Sequence, residues 1–314
     1  MGEGGYRQIN KTLDICAFDD YLATQQSRLP KLLDVEQISP RVIRVLGQNA
    51  GKFTLQGTNT YIVGTGKQRL IIDTSQGYRA WADLIDTTLS ERSIELSQVF
   101  LTHWHGDHTG GVPDLIRMYP HLTDSIYKNS PEHGQRPIED GQVFCSVEGA
   151  TIRAVHAPGH SHDHMCFILE EENAMFTGDN VLGHGTSAVE ELGRYMETLR
   201  KLQSHQCVKG YPAHGDVIPN LRAKIAGELA AKTRREKQCL AALTAVRRRD
   251  RSASVTVSEL VDEIHGGHMD EEVRKRALEP FMDEVLRKLT EDGKVAFRVR
   301  KGEKKWFVLN SGWA

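Results

Sequence analysis

The ten residues from Thr102 to Gly111 read THWHGDHTGG, and they set the strongest condition on any fold this chain adopts. His103, His105, Asp107 and His108 fall within six residues, between the apolar run QVFL and a pair of glycines. On extended backbone the His-x-His pair sends two imidazoles to the same side, because side chains alternate. Asp107 and His108 follow across a turn that Gly106 makes available. The loop therefore offers two pairs of ligands rather than one cluster of four. Neighbouring residues do not easily complete a tetrahedral shell, so the fold must bring further ligands from distant segments.

Three such segments follow in order. His160 lies in HAPGHSHDH after a Pro-Gly turn, Asp179 in MFTGDN at the end of an apolar run, and His214 in GYPAHGD beside small residues. We assign His103, His105 and His160 to one metal and Asp107, His108 and His214 to a second, with Asp179 bridging them. Imidazole nitrogen and carboxylate oxygen suit two Zn²⁺ at about 2.0–2.2 Å, and Mn²⁺ or Fe²⁺ accept the same donors. A closed structural zinc site is typically rich in cysteine, and none of these residues is cysteine. Two ions roughly 3.5–4 Å apart leave positions for water, which is a hydrolytic arrangement. Asp107 is placed to orient the attacking water and carry its proton. His156, His162, His164 and His184 lie near the pattern but outside it, and hydrogen bonding to ligands or substrate is their expected use.

The flanking sequence says what carries these loops. RVIRVLG, TNTYIVGTG, RLIIDT, QVFLTH, TIRAVHAP, MCFILEEE, AMFTGD and CVKGYPAHG read as short strands rich in Val, Ile and aromatic residues. YRAWADLIDTTLSER and AVEELGRYMETLRKLQ have helical spacing. Strands mixed with helices, with the ligands at strand ends, predict an α/β sandwich over residues 41–220. Residues 1–40 read as a polar N-terminal extension, helical in part over FDDYLATQQSRLPKLL. After Pro219, LRAKIAGELAAKTRREKQCLAALTAVRRR reads as one long helix. VTVSELVDEIHG, capped by Ser258, and DEEVRKRALEPFMDEVLRKLTEDG read as two shorter helices, and KVAFRVRKGEKKWFVL as a hairpin turning at Lys301-Gly302-Glu303. Residues 221–314 thus predict a small winged-helix-like module.

Composition bears on compartment and partners. At 39% hydrophobic and 26% charged, the 314 residues can bury a real core. The sequence has no apolar run near the roughly 18 residues of a membrane span and no signal-peptide core at its start. Five scattered cysteines without a CxxC pair argue against a disulfide framework and for a reducing compartment, so a cytoplasmic location is expected. A net charge of −2 gives no global pull toward nucleic acid, yet residues 231–305 carry 19 basic against 14 acidic side chains.

His103-x-His105-x-Asp107-His108, followed by His160, Asp179 and His214, resembles the signature of the metallo-β-lactamase superfamily. The resemblance covers residues 41–220 and implies an αββα sandwich with a dinuclear site along one edge. It also implies that Asp73, ending LIIDT, is a buried aspartate that braces the ligand loop. Over the whole chain, GYRQINKTLDICAFDDYL, GKFTLQGTNTYIVGTGKQRLIIDT and the C-terminal helices resemble fungal thioesterases of this superfamily that serve non-reducing polyketide synthases, the atrochrysone carboxyl carrier-protein type. That implies hydrolytic release of an aromatic polyketide from the phosphopantetheine thiol of an acyl carrier domain. It further implies Asp107 as proton donor and acceptor. GTNTYIVGTG and a helical C-terminal module are also similar to β-lactamase-like endoribonucleases, and THWHGDH to glyoxalase-II-like hydrolases of glutathione thioesters. A nucleic-acid-binding protein with a vestigial site is a fourth reading, against which the intact ligand set argues.

Leaving-group chemistry bears on the choice. A thiol, with a pKa near 8.5, departs as thiolate without much help. A nucleotide oxygen is a poorer leaving group, and its phosphates need basic contacts. The chain before residue 231 is net acidic, while RRRDR and RVRKGEKK are basic. On the thioesterase reading the C-terminal module walls the cleft for a flat aromatic chain, and Arg247, Arg248 and Arg249 are expected to meet an acidic carrier domain.

Overall fold

The computed structural model describes residues 29–309 apart from 268–270 and 272–273. The helical portion expected in the N-terminal extension lies outside the described residues up to residue 28, and residues 29–34 are not helical. Asp270, Glu272 and Val273 of the last expected helix also lie outside them.

The first half of the chain runs β1 (Val35–Ser39), β2 (Val42–Leu46), β3 (Asn59–Val63), β4 (Gln68–Ile72), α1 (Arg79–Arg92), β5 (Glu95–Phe100), α2 (Gly106–Thr109), α3 (Val112–Met118), β6 (Ile126–Lys128) and β7 (Arg136–Pro137). Its seven strands form one sheet in chain order. Strands β1 to β4 pair antiparallel, and β4 to β7 pair parallel. Strand β1 falls inside the expected extension. As an edge strand it is only half-buried, so VEQIS needs no apolar face for the eye to catch. Every residue of β2 and β3 is buried, because both faces of the sheet are covered. Val42, Tyr61, Val63, Leu70 and Ile72 point to one side, while Ile43, Val45, Ile62 and Ile71 pack with Trp81 and Ile85 of α1 on the other.

The second sheet contains β8 (Val143–Val147), β9 (Ala150–His156), β10 (Met165–Leu169), β11 (Ala174–Gly178) and, after α4 (Leu192–Ser204), β12 (Lys209–Pro212). Its order is β12-β11-β10-β9-β8. Alternation in β10 explains the layering: Met165, Phe167 and Leu169 meet the first sheet, while Cys166 and Ile168 pack toward Leu199 and Leu202 of α4. Helices outside two facing sheets make the expected αββα sandwich.

The remainder is α5 (Leu221–Arg249), α6 (Val257–His265), α7 (Glu279–Glu291) and the hairpin β13 (Val295–Arg300) and β14 (Glu303–Val308), with Val255 bridging to Trp306. Ser258 is not the cap of α6. Thr256 Oγ1 accepts from the Glu259 N–H at 3.1 Å, and the Glu259 carboxylate accepts from the Thr256 N–H at 2.7 Å. That reciprocal box needs Glu or Gln three residues on, which Thr256 has and Ser258, followed by Val261, lacks. A π-helical turn, Arg274–Leu278, precedes α7, whose first turn contains Pro280, where a missing N–H costs nothing. The hairpin turns on Lys301 and Gly302, both left-handed at φ 50° and 81°. Ile225, Cys239, Leu260, Leu286 and Trp306 share one apolar cluster with Cys166 and Leu199, so these helices pack directly on the second sheet's outer layer. Cys145, Cys166, Cys207 and Cys239 are free thiols, and no helix among the described residues is long and apolar enough to cross a membrane.

Candidate metal centre

Strand ends of both sheets meet along one edge of the sandwich. Asp73 follows β4, the THWHGDH loop follows β5, His160 follows β9, Asp179 follows β11 and His214 follows β12. All seven candidate ligands are buried. The turn expected at Gly106 is a helical turn, α2, with His105 at its N-cap and no positive φ at Gly106. The demand for glycine lies further on: a Cβ on Gly111 would sit 2.0 Å from the Thr74 carbonyl and 2.3 Å from the Trp81 ring. Asp73 has φ 60°, a left-handed conformation that aspartate tolerates.

The side chains gather in two groups. His103, His105, His160 and Asp179 form one, and Asp107, His108 and His214 the other, each with donor atoms within 4.8 Å of one another. In the first, His105 Nδ1 lies 2.8 Å from His103 Nε2 and 3.1 Å from His160 Nε2. In the second, Asp107 Oδ2 lies 3.3 Å from His214 Nε2 and 3.5 Å from His108 Nε2. Asp179 turns Oδ2 to His160 at 3.5 Å and Oδ1 to His214 and His108 at 3.2 and 3.5 Å, so its carboxylate faces both groups.

An outer layer fixes the rings. His103 Nδ1 donates to Thr102 Oγ1 at 3.0 Å, His108 Nδ1 to Asp73 Oδ2 at 2.9 Å, and His160 Nδ1 to the Ala188 carbonyl at 2.8 Å. Each bond turns an Nε2 lone pair inward. Asp73 also accepts from the Thr102 N–H at 2.8 Å and from its hydroxyl, bracing the loop as the resemblance implied. His164 takes the Asp179 N–H on Nε2 at 3.0 Å and stacks on His103 with ring centroids 5.0 Å apart. His156 Nε2 donates to the His162 carbonyl at 3.2 Å, His162 is exposed, and His184 lies in the loop after β11.

Burial holds His103 well below its usual pKa and pushes His105 down to about 3, with neighbouring histidines adding to the effect. Both are neutral donors at pH 7. Burial opposes charge on Asp107 and Asp179 too, but His108 and His214 outweigh it and keep both carboxyls below their usual range. The same anions overcome burial at His108, raised well above normal, and at His214, raised to about 9. The carboxylates thus draw positive charge to this point, and a divalent cation answers that demand while displacing the protons. Both Asp107 oxygens, His108 Nε2 and His214 Nε2 are buried and make no hydrogen bond among the described residues. Nitrogen and oxygen donors so disposed fit a metal ion.

Several contributors escaped the sequence reading. Asn59 donates from Nδ2 to the Pro212 and Gly215 carbonyls at 2.8 and 2.7 Å, tying the His214 turn to β3. Thr102 links Asp73 to His103. Thr102 closes an otherwise apolar run, which is the signal that would have found it, whereas Asn59 stands between two threonines and carries no such mark.

Residues 53–214 match the family model described as the metallo-beta-lactamase superfamily. The chain belongs to that superfamily. It is 80% identical over 312 residues to the atrochrysone carboxyl ACP thioesterase AacuM of Aspergillus aculeatus, covering 98% of this chain and 100% of that protein. It is 78% identical over 312 residues to the atrochrysone carboxyl ACP thioesterase AgnL7 of Paecilomyces divaricatus, covering 99% of each. Among solved structures, a beta-lactamase domain protein from Burkholderia ambifaria superposes with a TM-score of 0.68 at 16% identity, covering 90% of this chain and 95% of that one. That likeness concerns the fold alone.

Proposed function

We propose that this chain is a metal-dependent thioesterase releasing an aromatic polyketide, of the atrochrysone carboxylic acid type, from the acyl carrier domain of a non-reducing polyketide synthase. The observation that carries it is end-to-end similarity, at 80% identity, to a protein named for that reaction. The geometry supports hydrolysis, since Asp179 presents one oxygen to each of two buried donor groups. On this reading His103, His105 and His160 hold one Zn²⁺, Asp107, His108 and His214 hold a second, and Asp179 serves both. Such ions supply Lewis acidity, making water acidic near pH 7 and polarising a carbonyl. Asp107, kept ionised by His108 and His214, accepts the proton of the attacking water on its carboxylate. The pantetheine thiol then leaves as thiolate with little assistance. Residues 221–314 form the module that walls the cleft, the catalytic domain takes in residues 41–220 together with β1, Val35–Ser39, from the expected extension, and the enzyme works in the cytoplasm.

The test is a parallel assay of metal-loaded protein on a carrier-bound aryl thioester and on single-stranded RNA. Free acid from the first, intact RNA from the second, about two metal ions per chain by elemental analysis and loss of turnover on chelation are expected. RNA cleavage without thioester turnover would overturn the substrate assignment in favour of the endoribonuclease reading.

A further inference from the structure

The loop between β11 and α4 connects the metal centre to α5. On its inner side the Ala188 carbonyl accepts from His160 Nδ1, and the Gly183 N–H donates to the His214 carbonyl at 2.9 Å. On its outer side the Gly185 carbonyl accepts from Lys224 Nζ at 2.7 Å, and Thr186 Oγ1 donates to Glu228 at 2.8 Å. Between this loop and α5 opens a cleft of ≈ 340 Å³, lined by Thr186, Lys224, Glu228, Lys232 and Arg235 among others.

Its charges do not balance. Lys224 and Glu228 pair with each other at 3.2 Å, which leaves Lys232 and Arg235. Lys232 is only 7% exposed, yet its one hydrogen bond among the described residues is a long one, 3.4 Å to Thr186 Oγ1. Its ammonium lies 5.6 Å from the centre of the Tyr195 ring. Exposed Arg235 lies over the Phe281 ring at 5.6 Å. Glu284 of α7 is the other acid facing the pair; burial pushes its carboxyl above the usual range, while Lys232, Arg287 and Arg235 pull it down. A buried ammonium with no carboxylate at ion-pair distance is unfavourable, and burial and Arg235 lower the Lys232 pKa although Glu228 and Glu284 oppose them. By contrast Glu236, one turn further along α5 and equally buried, is matched by Lys288 at 2.8 Å. Lys232 is therefore a cation placed for something that arrives.

We propose that this cleft binds the phosphodiester of the phosphopantetheine arm, with Lys232 and Arg235 as its cationic contacts. The proposal rests on the thioesterase reading. A carrier-borne thioester brings one phosphodiester on the same flexible arm as the reacting carbonyl. The loop that lines the cleft at Thr186 also holds His160 two residues further on, through the Ala188 carbonyl. An ammonium and a guanidinium, neither ion-paired to a carboxylate among the described residues, match a phosphodiester's single negative charge better than they match a neutral amide.

Calorimetric titration of the metal-loaded protein with phosphopantetheine, pantetheine and inorganic phosphate tests this. Phosphopantetheine should bind at least about tenfold more tightly than pantetheine, as expected for charge-assisted hydrogen bonds. Lys232→Met, which keeps the length of the side chain, should erase that difference while holding or raising the thermal midpoint. Arg235→Gln, on an exposed side chain, should reduce it several-fold. With aryl thioesters, the KM ratio between pantetheine and phosphopantetheine forms should collapse toward one in both variants. Equal binding of the two ligands by the parent, discrimination surviving in Lys232→Met, or inorganic phosphate binding as tightly as phosphopantetheine would overturn the proposal. If neither thioester is hydrolysed, the thioesterase reading fails, and the binding comparison still decides what the cleft takes.

Discussion

Asp73, beneath the ligand loop, and Lys232, on α5, are both almost fully buried charges, and they are treated in opposite ways. Asp73 is saturated: the Thr102 N–H, the Thr102 hydroxyl and His108 Nδ1 all donate to it. Lys232 has one long hydrogen bond. The same contrast recurs inside the metal centre, where the Asp107 oxygens make no hydrogen bond although Asp73, a few residues away in space, has three donors. A saturated buried charge is a brace, and an unsaturated one is a place held for a ligand. Charge at the end of α5 follows a third pattern of exposed or half-exposed contacts. Arg249 meets Glu263 at 2.6 Å, and Arg247 donates to the Val308 carbonyl at 3.0 Å. Two of the three arginines expected to meet a carrier domain are thus occupied in holding the end of α5 to α6 and the hairpin.

Substitutions can break this contrast. The largest effect belongs to the unsaturated carboxylate. Asp107→Asn keeps the shape but loses the charge, and turnover should fall by at least about a hundredfold with the fold intact by circular dichroism. Activity within a few-fold of the parent would remove Asp107 from proton transfer. The brace should matter less, and through the metal. Asp73→Asn should weaken metal affinity by about 10- to 100-fold, read by competition against a chelator, because His108 loses the anion that orients it. Unchanged affinity would show that the backbone alone positions the loop. Thr256→Ala removes the α6 cap and should cost about 1 kcal/mol in thermal or denaturant unfolding. Because α6 shares its apolar cluster with the second sheet, the loss should shift a single transition rather than create a second one. Smallest is Arg249→Gln, expected to cost less than about 1 kcal/mol and to leave the KM for carrier-bound substrate unchanged. A raised KM there would return the carrier contact to the RRR run.

Much of the centre was legible because its chemistry is local. Ligands placed by His-x-His and Asp-His spacing, or by a Gly beside a strand end, keep their meaning in any fold that brings the strand ends together. Strands β2 to β5 and β9 to β12, rich in Val, Ile and aromatic residues, were readable, as was the hairpin through its Lys301-Gly302-Glu303 turn, while edge strands β1 and β8 and the short β6 and β7 were not. Lys232 shows a signal that was present and overlooked. Leu221, Ile225, Lys232, Glu236, Cys239 and Leu243 are the buried residues of α5 and lie at helical spacing, so two charges occupy its core-facing stripe. Periodicity marks that anomaly, but only packing tells that Glu236 finds Lys288 and that Lys232 finds no carboxylate at ion-pair distance among the described residues.

The sequence by itself determined the donor types, their division between one crowded loop and three later segments, and the 29-residue span of α5. These follow from backbone periodicity and side-chain chemistry, which act over a few residues. The tertiary structure decided that Asp179 faces both groups, that Asp73 braces rather than ligates, and that a lysine on a distant helix lies buried beside the loop holding His160. Those outcomes depend on which buried charge meets which partner, and desolvation makes that question decisive only once the layers have closed.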